Sequence, residues 1–221
     1  MLQWSGRSRR AARGSVWPAA FACAFFSCFA VTASSQGTET PIEAVRETVT
    51  EVLRILNDPA LKNPANHAQR RRMLEEIGTS RFDYAEMSKR VLGSYWKPLT
   101  DTQRTEFVEV YKSFLSDKYA GRIEDYSGRK QEVGYLTERI EGSYAEVRTE
   151  LRSDKTTFPM DYRLLVKDGR WCAYDIIIDG VSLVSNYRSQ FQKIMRDSSY
   201  EELVKKLRER SIATENTKAK P

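Results

Sequence analysis

The sequence predicts an α+β domain in which four antiparallel strands lie between two groups of helices, about six helices in all. Three observations carry this. From Ile42 to Ile123 apolar residues recur at spacings of three and four; after Ser127-Gly128 the period falls to two; at Val181 the helical spacing returns. Helices, then strands, then helices, with no internal repeat, is the order of a segregated α+β fold rather than of alternating βαβ units.

The first helix starts at Thr40-Pro41-Ile42-Glu43, where Thr40 caps, Pro41 takes the first helical position and Glu43 closes a capping box. Ile42, Val45, Val49, Val52, Leu53 and Leu56 form its apolar face, and Asn57-Asp58-Pro59 ends it. Asn63-Pro64 opens a second helix carrying Met73, Leu74 and Ile77 before Gly78. Asp83 with Glu86 reads as another capping box, with Phe82 and Met87 as its hydrophobic staple, on a short helix ending at Gly93. An aromatic loop (Tyr95, Trp96, Pro98) leads to Thr100 and Gln103, which start the longest helix; its apolar positions are Phe107, Tyr111, Phe114, Leu115, Tyr119 and Ile123.

Candidate strands run over 130–140, 144–151, 158–166 and 170–178, joined as a meander by turns at Glu141-Gly142-Ser143 and Lys167-Asp168-Gly169. Phe158, Met160, Tyr162, Leu164 and Val166 alternate with Pro159, Asp161 and Arg163, which gives one buried and one wet face. In the last strand Tyr174, Ile176 and Ile178 share a face. Asp179-Gly180 then leads into a helix over 181–196, where Val181, Val184, Tyr187, Phe191 and Ile194 fall on one side. A final helix spans 200–210, followed by a polar tail.

The amino terminus reads as a secretory leader. Arg7, Arg9, Arg10 and Arg13 precede an apolar run from Val16 to Val31, and Val31-Thr32-Ala33 offers small residues for cleavage near Ala33. A retained anchor is the alternative, but the run falls short of the roughly 18–20 residues that span a bilayer, and Pro18 interrupts its start. The predicted layout is therefore a signal peptide at 1–33, a linker at 34–39, one domain at 40–197, and a C-terminal helix with tail at 198–221. The expected compartment is the periplasm. The whole chain has 36 basic and 30 acidic residues; without the four leader arginines, 32 basic residues remain and the net charge is about +2. No basic cluster is interleaved with aromatics, so nothing indicates nucleic acid. Cys23 and Cys28 leave with the leader, and Cys172 remains alone as a buried strand residue or, alternatively, a reactive thiol.

Residues that carry chemistry are sparse. His67 is the one histidine, among Asn66, Gln69 and Arg70, so neither a nucleophile–histidine arrangement nor a His/Cys zinc site is built. The glycines at 121, 128, 134 and 142 are scattered, unlike a phosphate loop. No cofactor, metal or catalytic residue is expected. Two carboxylates remain: Asp179 or Ser182 caps the following helix, and Asp175 pairs with a neighbouring arginine such as Arg163. The competing possibility is a pocket enzyme using Asp175 with Tyr162 as an acid–base pair; a third is an envelope scaffold or chaperone.

The run GVSLVSNYRSQF, the preceding WCAYD, and FDYAEMSKRVLGSYW followed by TDTQRTEFVEVYKSFL resemble one family, the MlaC-type periplasmic phospholipid-binding proteins of the toluene-tolerance auxiliary group. The resemblance covers about Thr40 to Met195. It implies a curved, partly NTF2-like antiparallel sheet wrapped by helices around a deep apolar cavity. It further implies a monomeric, non-enzymatic carrier whose cavity holds phospholipid acyl chains while the head group stays outside. Two docking partners are implied: an inner-membrane ABC transporter with an MCE-domain ring, and an outer-membrane lipoprotein–porin complex. The expected lining comes from three places: Val133, Tyr135, Val147, Met160, Tyr162, Tyr174 and Ile176 of the sheet; Met87, Val91, Phe107, Tyr111 and Phe114 of the helices; and Val184, Tyr187 and Phe191 of the final motif. Each would also be apolar in a plain packed core. Asn186 and Arg188 meet either a lipid phosphate, a partner protein, or a helix-to-sheet hydrogen bond. Holding both tails calls for a pocket at or beyond the upper end of the usual roughly 300–1,000 Å³.

Overall fold

The reciprocal bonds expected at Thr40 start the chain's first helix. The Glu43 N–H donates to Thr40 Oγ1 at 3.3 Å, and the Thr40 N–H donates to the Glu43 carboxylate at 2.8 Å, opening α1 (Pro41–Asn57). A computed structural model describes residues 39–124, 131–153 and 156–209, all within one unit that begins at Thr38. The leader and cleavage site, the linker up to 38, the Ser127-Gly128 break and the polar tail lie outside the described residues.

The second helix begins as a 3₁₀ turn (Pro64–Asn66), with Asn63 Oδ1 accepting from the Ala65 N–H at 3.0 Å. It continues as α2 (His67–Arg81), past Gly78 to Phe82, whose backbone forms an isolated parallel bridge with Ala173. That bridge also alters the next start. Asp83 caps α3 (Tyr84–Leu92) by accepting from the Glu86 N–H at 3.0 Å, but the Asp83 N–H goes to the Ala173 carbonyl at 2.9 Å. The Glu86 carboxylate turns to Arg90 at 2.8 Å instead, so only half of the expected capping box exists. The aromatic loop contains a 3₁₀ turn (Gly93–Trp96). Gly93 has φ +57°, and a Cβ there would stand 2.7 Å from Gln192 Nε2 and 3.1 Å from an Arg188 guanidinium nitrogen, so the NYRSQF helix closes directly over it. Thr100 and Gln103 exchange backbone-to-side-chain bonds of 3.0 and 3.2 Å to start α4 (Asp101–Glu124).

The sheet has five antiparallel strands in sequential order, not four: β1 (Gln131–Glu141), β2 (Tyr144–Ser153), β3 (Thr157–Lys167), β4 (Arg170–Ile178) and β5 (Val181–Ser182). Asp179 (φ +49°) and Gly180 (φ +78°) form a two-residue turn with both centres left-handed, which folds Val181 back onto Ile178. The helix α5 (Leu183–Asp197) therefore starts two residues later than its apolar spacing suggests, capped by Ser182 Oγ, which accepts from the Ser185 N–H at 3.0 Å. Between β3 and β4 the register runs Arg163↔Asp175 and then Leu164↔Ala173, so Tyr174 is the extra residue of a bulge. A similar shift leaves Leu136 unmatched in β1.

The main core gathers α3, α4, α5 and α6 (Tyr200–Arg208) around buried Phe107, Tyr111, Phe114, Tyr187 and Phe191. Phe191 meets Phe107 and Tyr111 edge-on at 6.1 and 5.5 Å, and Phe114 meets Tyr187 at 5.3 Å. The residues Leu203, Val204 and Leu207 of α6 belong to this same core. On the sheet, Val45 of α1 closes against Val147 and Leu164 in a separate small cluster.

Candidate functional site

Between Val45 and the buried Ile55, α1 has its apolar face only partly buried. Its face continues through Val49, Val52, Leu53 and Leu56, and these line a cavity of about 680 Å³. Leu74 and Ile77 of α2, Tyr84 and Met87 of α3, and Leu115 and Tyr119 of α4 form further walls. Val133, Leu151, Met160, Tyr162, Ile176 and Ile178 supply the sheet wall, which runs across β1 to β4 because these positions share one face in register. Charged residues mark where the cavity meets water: Arg71, Arg72, Glu75 and Glu76 on α2, Glu109 and Lys112 on α4. The volume falls inside the usual range for ligand pockets, not beyond it as two full acyl chains suggest.

The polar groups of the sheet wall are consumed internally. The Thr149 hydroxyl donates to the Met160 carbonyl at 2.5 Å, and the Tyr162 hydroxyl donates to Met160 Sδ at 3.1 Å. What faces the space is therefore mostly hydrocarbon. Burial pushes the Tyr162 phenol far above its ordinary value, and burial together with the Glu75 carboxylate pushes Tyr84 up to about 12. Both stay neutral at physiological pH. Tyr119 and Tyr187 bring their hydroxyls within 3.2 Å where the cavity wall meets the aromatic core.

The structure separates the expected lining residues into groups. Met87, Val133, Met160, Tyr162 and Ile176 border the cavity. Phe107, Tyr111, Phe114, Tyr187 and Phe191, with Val91 and Val184, fill the helical core. Val147 and Tyr135 pack beneath α1. Tyr174 leaves the Tyr162/Ile176 face at the bulge and lies under Arg90, whose guanidinium is 4.0 Å from the ring centre. The alternation that groups Tyr174 with Ile176 fails because one extra residue reverses every later side chain. Several cavity residues absent from that expectation, Val49, Val52, Leu53, Leu56, Leu74 and Ile77 among them, lie on helix faces whose periodicity already marks them as apolar.

An acid–base pair of Asp175 and Tyr162 does not form. Tyr162 pairs with Ile176 on the cavity face, whereas Asp175 pairs with Arg163 on the opposite one. The Asp175 carboxylate is 2 % exposed; it accepts from the Ser182 hydroxyl at 2.6 Å and the Val184 N–H at 3.0 Å, with Arg163 at 3.5 Å. It is a second acceptor for the start of α5. Cys172 is buried, and burial raises its thiol pKa. Asn186 accepts from the Gln190 amide at 3.3 Å within its own helix, and Arg188 is exposed against Gly93. Among the described residues no cluster of three or more His, Cys, Asp or Glu could hold a metal ion, and no helix is long and apolar enough to cross a membrane.

Three comparisons bear on this site. A solved phospholipid-binding protein from Ralstonia solanacearum, in complex with a phospholipid, superposes with a TM-score of 0.68 at 26 % identity, over 76 % of this chain and 94 % of that one. The intermembrane phospholipid transport system binding protein MlaC of Haemophilus influenzae is 24 % identical over 124 residues, which are 54 % of this chain; the match spans 58 % of the relative's length. The MlaC protein family profile matches residues 46–209, from the first turns of α1 to the end of α6. A sheet-backed apolar cavity and a profile match spanning nearly every described element agree: the chain belongs to the MlaC family.

Proposed function

We propose that this protein is a periplasmic phospholipid carrier: the cavity takes up acyl chains, the head group stays at the charged rim, and the loaded protein crosses the aqueous space between two membranes. The observation that carries this is the wall itself. Val49, Val52 and Leu53 of α1 and Leu74 and Ile77 of α2 remain partly exposed around a space of about 680 Å³, facing a sheet wall with satisfied polar groups. Apolar side chains held apart in this way forfeit both packing and dehydration, and a hydrocarbon ligand supplies both. A diacyl phospholipid carries about 30 methylenes at roughly 0.8 kcal/mol each, so exposing both tails costs on the order of 20 kcal/mol. A carrier that covers most of them makes transfer through water feasible.

The ligand contacts in this reading are Met87, Val133, Met160, Tyr162 and Ile176, joined by the aliphatic residues of α1 and α2. Phosphate and head-group identity matter little, since the cavity offers them no buried charge. In this reading the exchange partners are an inner-membrane MCE-domain ABC transporter and an outer-membrane lipoprotein–porin complex, and the compartment is the periplasm, in keeping with the leader expected from the sequence. The test is native mass spectrometry of mature protein purified from the periplasm, followed by lipid extraction. One phospholipid per chain with mixed head groups is the expected result. A lipid-free protein that takes up nothing from vesicles would refute the carrier and favour a scaffold.

A further inference from the structure

We infer that α2 is the movable wall through which cargo passes, latched by ion pairs to α4 from its N-terminal half and to α1 from its last residue; this rests on the carrier reading above. In its fifteen residues the only buried side chain is Arg70; Met73, Leu74 and Ile77 are all partly exposed, and the last two face the cavity. No buried apolar residue anchors this helix, in contrast to α1, which has Val45, Ile55 and Leu56 inside, and to α3, which has Met87, Val91 and Leu92.

Besides the buried Arg70, what anchors it is a set of polar contacts along its first nine residues and at its C-terminus. Near its start, Arg71 pairs with Asp117 of α4, and one turn later Glu75 accepts from the Ser116 hydroxyl at 3.0 Å. Arg71 also meets Glu75 at 2.8 Å, so these four side chains form one cluster between α2 and α4. At its end, Arg81 pairs with Glu47 of α1 and with Glu39 at 3.3 Å. In each pair one partner is well exposed (Arg71 48 %, Glu47 66 %) and the other is partly shielded (Asp117 11 %, Arg81 21 %), and pairs open to water on one side are weakened by salt. The two ends are tethered differently: a 3₁₀ turn precedes α2, whereas just beyond its C-terminus the Phe82 and Asp83 backbone is joined to β4.

The cavity gives the motion a purpose. At about 680 Å³ it sits inside the usual pocket range, whereas two full acyl chains call for its upper end or more. Among the surrounding walls, the sheet is fixed by its ladder, and α3 and α4 by the aromatic core. The helix α2 is the wall with the least to lose on moving, so expansion and cargo exchange occur there. Segments that move for function are drawn from the weakly held end of a structure.

The experiment joins α2 to α4. In the Glu75→Cys/Ser116→Cys protein, a short thiol–thiol crosslinker bridges the two helices at a contact the native residues already make. The same protein before crosslinking, and each single-cysteine variant carrying the reagent, serve as controls. Transfer of a fluorescent phospholipid from phosphatidylethanolamine/phosphatidylglycerol vesicles is followed. Crosslinking is expected to slow transfer at least tenfold while leaving preloaded lipid in place. Separately, Arg71→Ala/Arg81→Ala is expected to speed transfer by roughly two- to thirtyfold, the size of two surface ion pairs, and added salt to move the wild type the same way. Hydrogen exchange gives a lipid-free readout, with amides of α2 opening faster than those of α4. Unchanged transfer in the bridged protein, with α2 as protected as α4, overturns the latch while leaving the carrier intact. A wild type that takes up no lipid overturns the carrier and this inference with it.

Discussion

Replacing Asp175 separates a structural carboxylate from a functional one. In Asp175→Ala the Val184 N–H loses its 3.0 Å acceptor inside the protein, and the Ser182 hydroxyl loses its 2.6 Å partner. A buried donor left without a partner costs about 1–3 kcal/mol. Ser182 is only partly buried and regains some bonding from water, while Arg163, at 3.5 Å with its side chain 43 % exposed, adds little. The sum is about 2–4 kcal/mol. For a domain of this size each kcal/mol lowers Tm by about 2–4 °C, so a fall of roughly 5–15 °C is expected. Asp175→Asn keeps one side-chain oxygen for Val184, and the Ser182 hydroxyl can turn to accept from the new amide, so about 1 kcal/mol is lost. Thermal melts by circular dichroism give the stability, and phospholipid bound per folded molecule gives the function. Both variants are expected to carry lipid normally once folded. An Asp175→Ala melt within 2 °C of wild type would refute the capping argument (a threshold well below the ~5 °C lower bound). A well-folded Asp175→Asn that carries no lipid would show that the carboxylate acts on the ligand or in chemistry.

The remaining predictions address the cavity, the core and the tyrosines. Leu53→Trp places an indole in the cavity from a half-exposed position; lipid uptake in native mass spectra is expected to fall by about tenfold with Tm changed by no more than about 2 °C. Phe191→Ala removes a fully buried ring packed on Phe107, Tyr111 and Tyr187, and a loss of about 3–5 kcal/mol in urea unfolding is expected, with lipid per folded molecule unchanged. Burial raises the phenols of Tyr84, Tyr111, Tyr162 and Tyr174. The folded state then holds protons that the unfolded state releases above about pH 10, so stability is intact below that pH and falls as pH rises toward 12. Phenolate absorbance near 295 nm should therefore rise together with loss of ellipticity; smooth titration of all the tyrosines near 10 in a folded protein would contradict this.

Where a local signal was strong, the sequence specified the structure closely. Thr40/Glu43 and Thr100/Gln103 form the reciprocal caps their spacing predicts, and Asp168-Gly169 turns β3 into β4 with both residues left-handed. The misses arise where a distant group competes. The Ala173 carbonyl takes the Asp83 N–H from Glu86, and Asp179-Gly180 makes a hairpin of two residues that read as the first turn of a helix. The bulge at Tyr174 has no local signature: an apolar strand continues to look apolar whichever face each residue takes, and only pairing with β3 shows the skipped residue.

The harder distinction was between a cavity and a core, because periodicity reports which side chains leave water but not what fills the space they face. The aromatic positions Phe107, Tyr111, Phe114, Tyr187 and Phe191 carry the most apolar area, and for that reason they find one another and close solidly. Mostly aliphatic residues, with Tyr84, Tyr119 and Tyr162 among them, line the open space between helices and sheet. The sequence does contain a sign of this. The apolar face of α1 spans four turns, while its neighbour α2 offers only Met73, Leu74 and Ile77 among Arg70, Arg71, Arg72, Glu75 and Glu76. A wide apolar face beside a helix too polar to cover it leaves hydrocarbon exposed unless something else arrives. That mismatch gives the protein an apolar cavity beside a wall without a buried apolar anchor, so the proposed binding and the proposed opening rest on the same choice of residues.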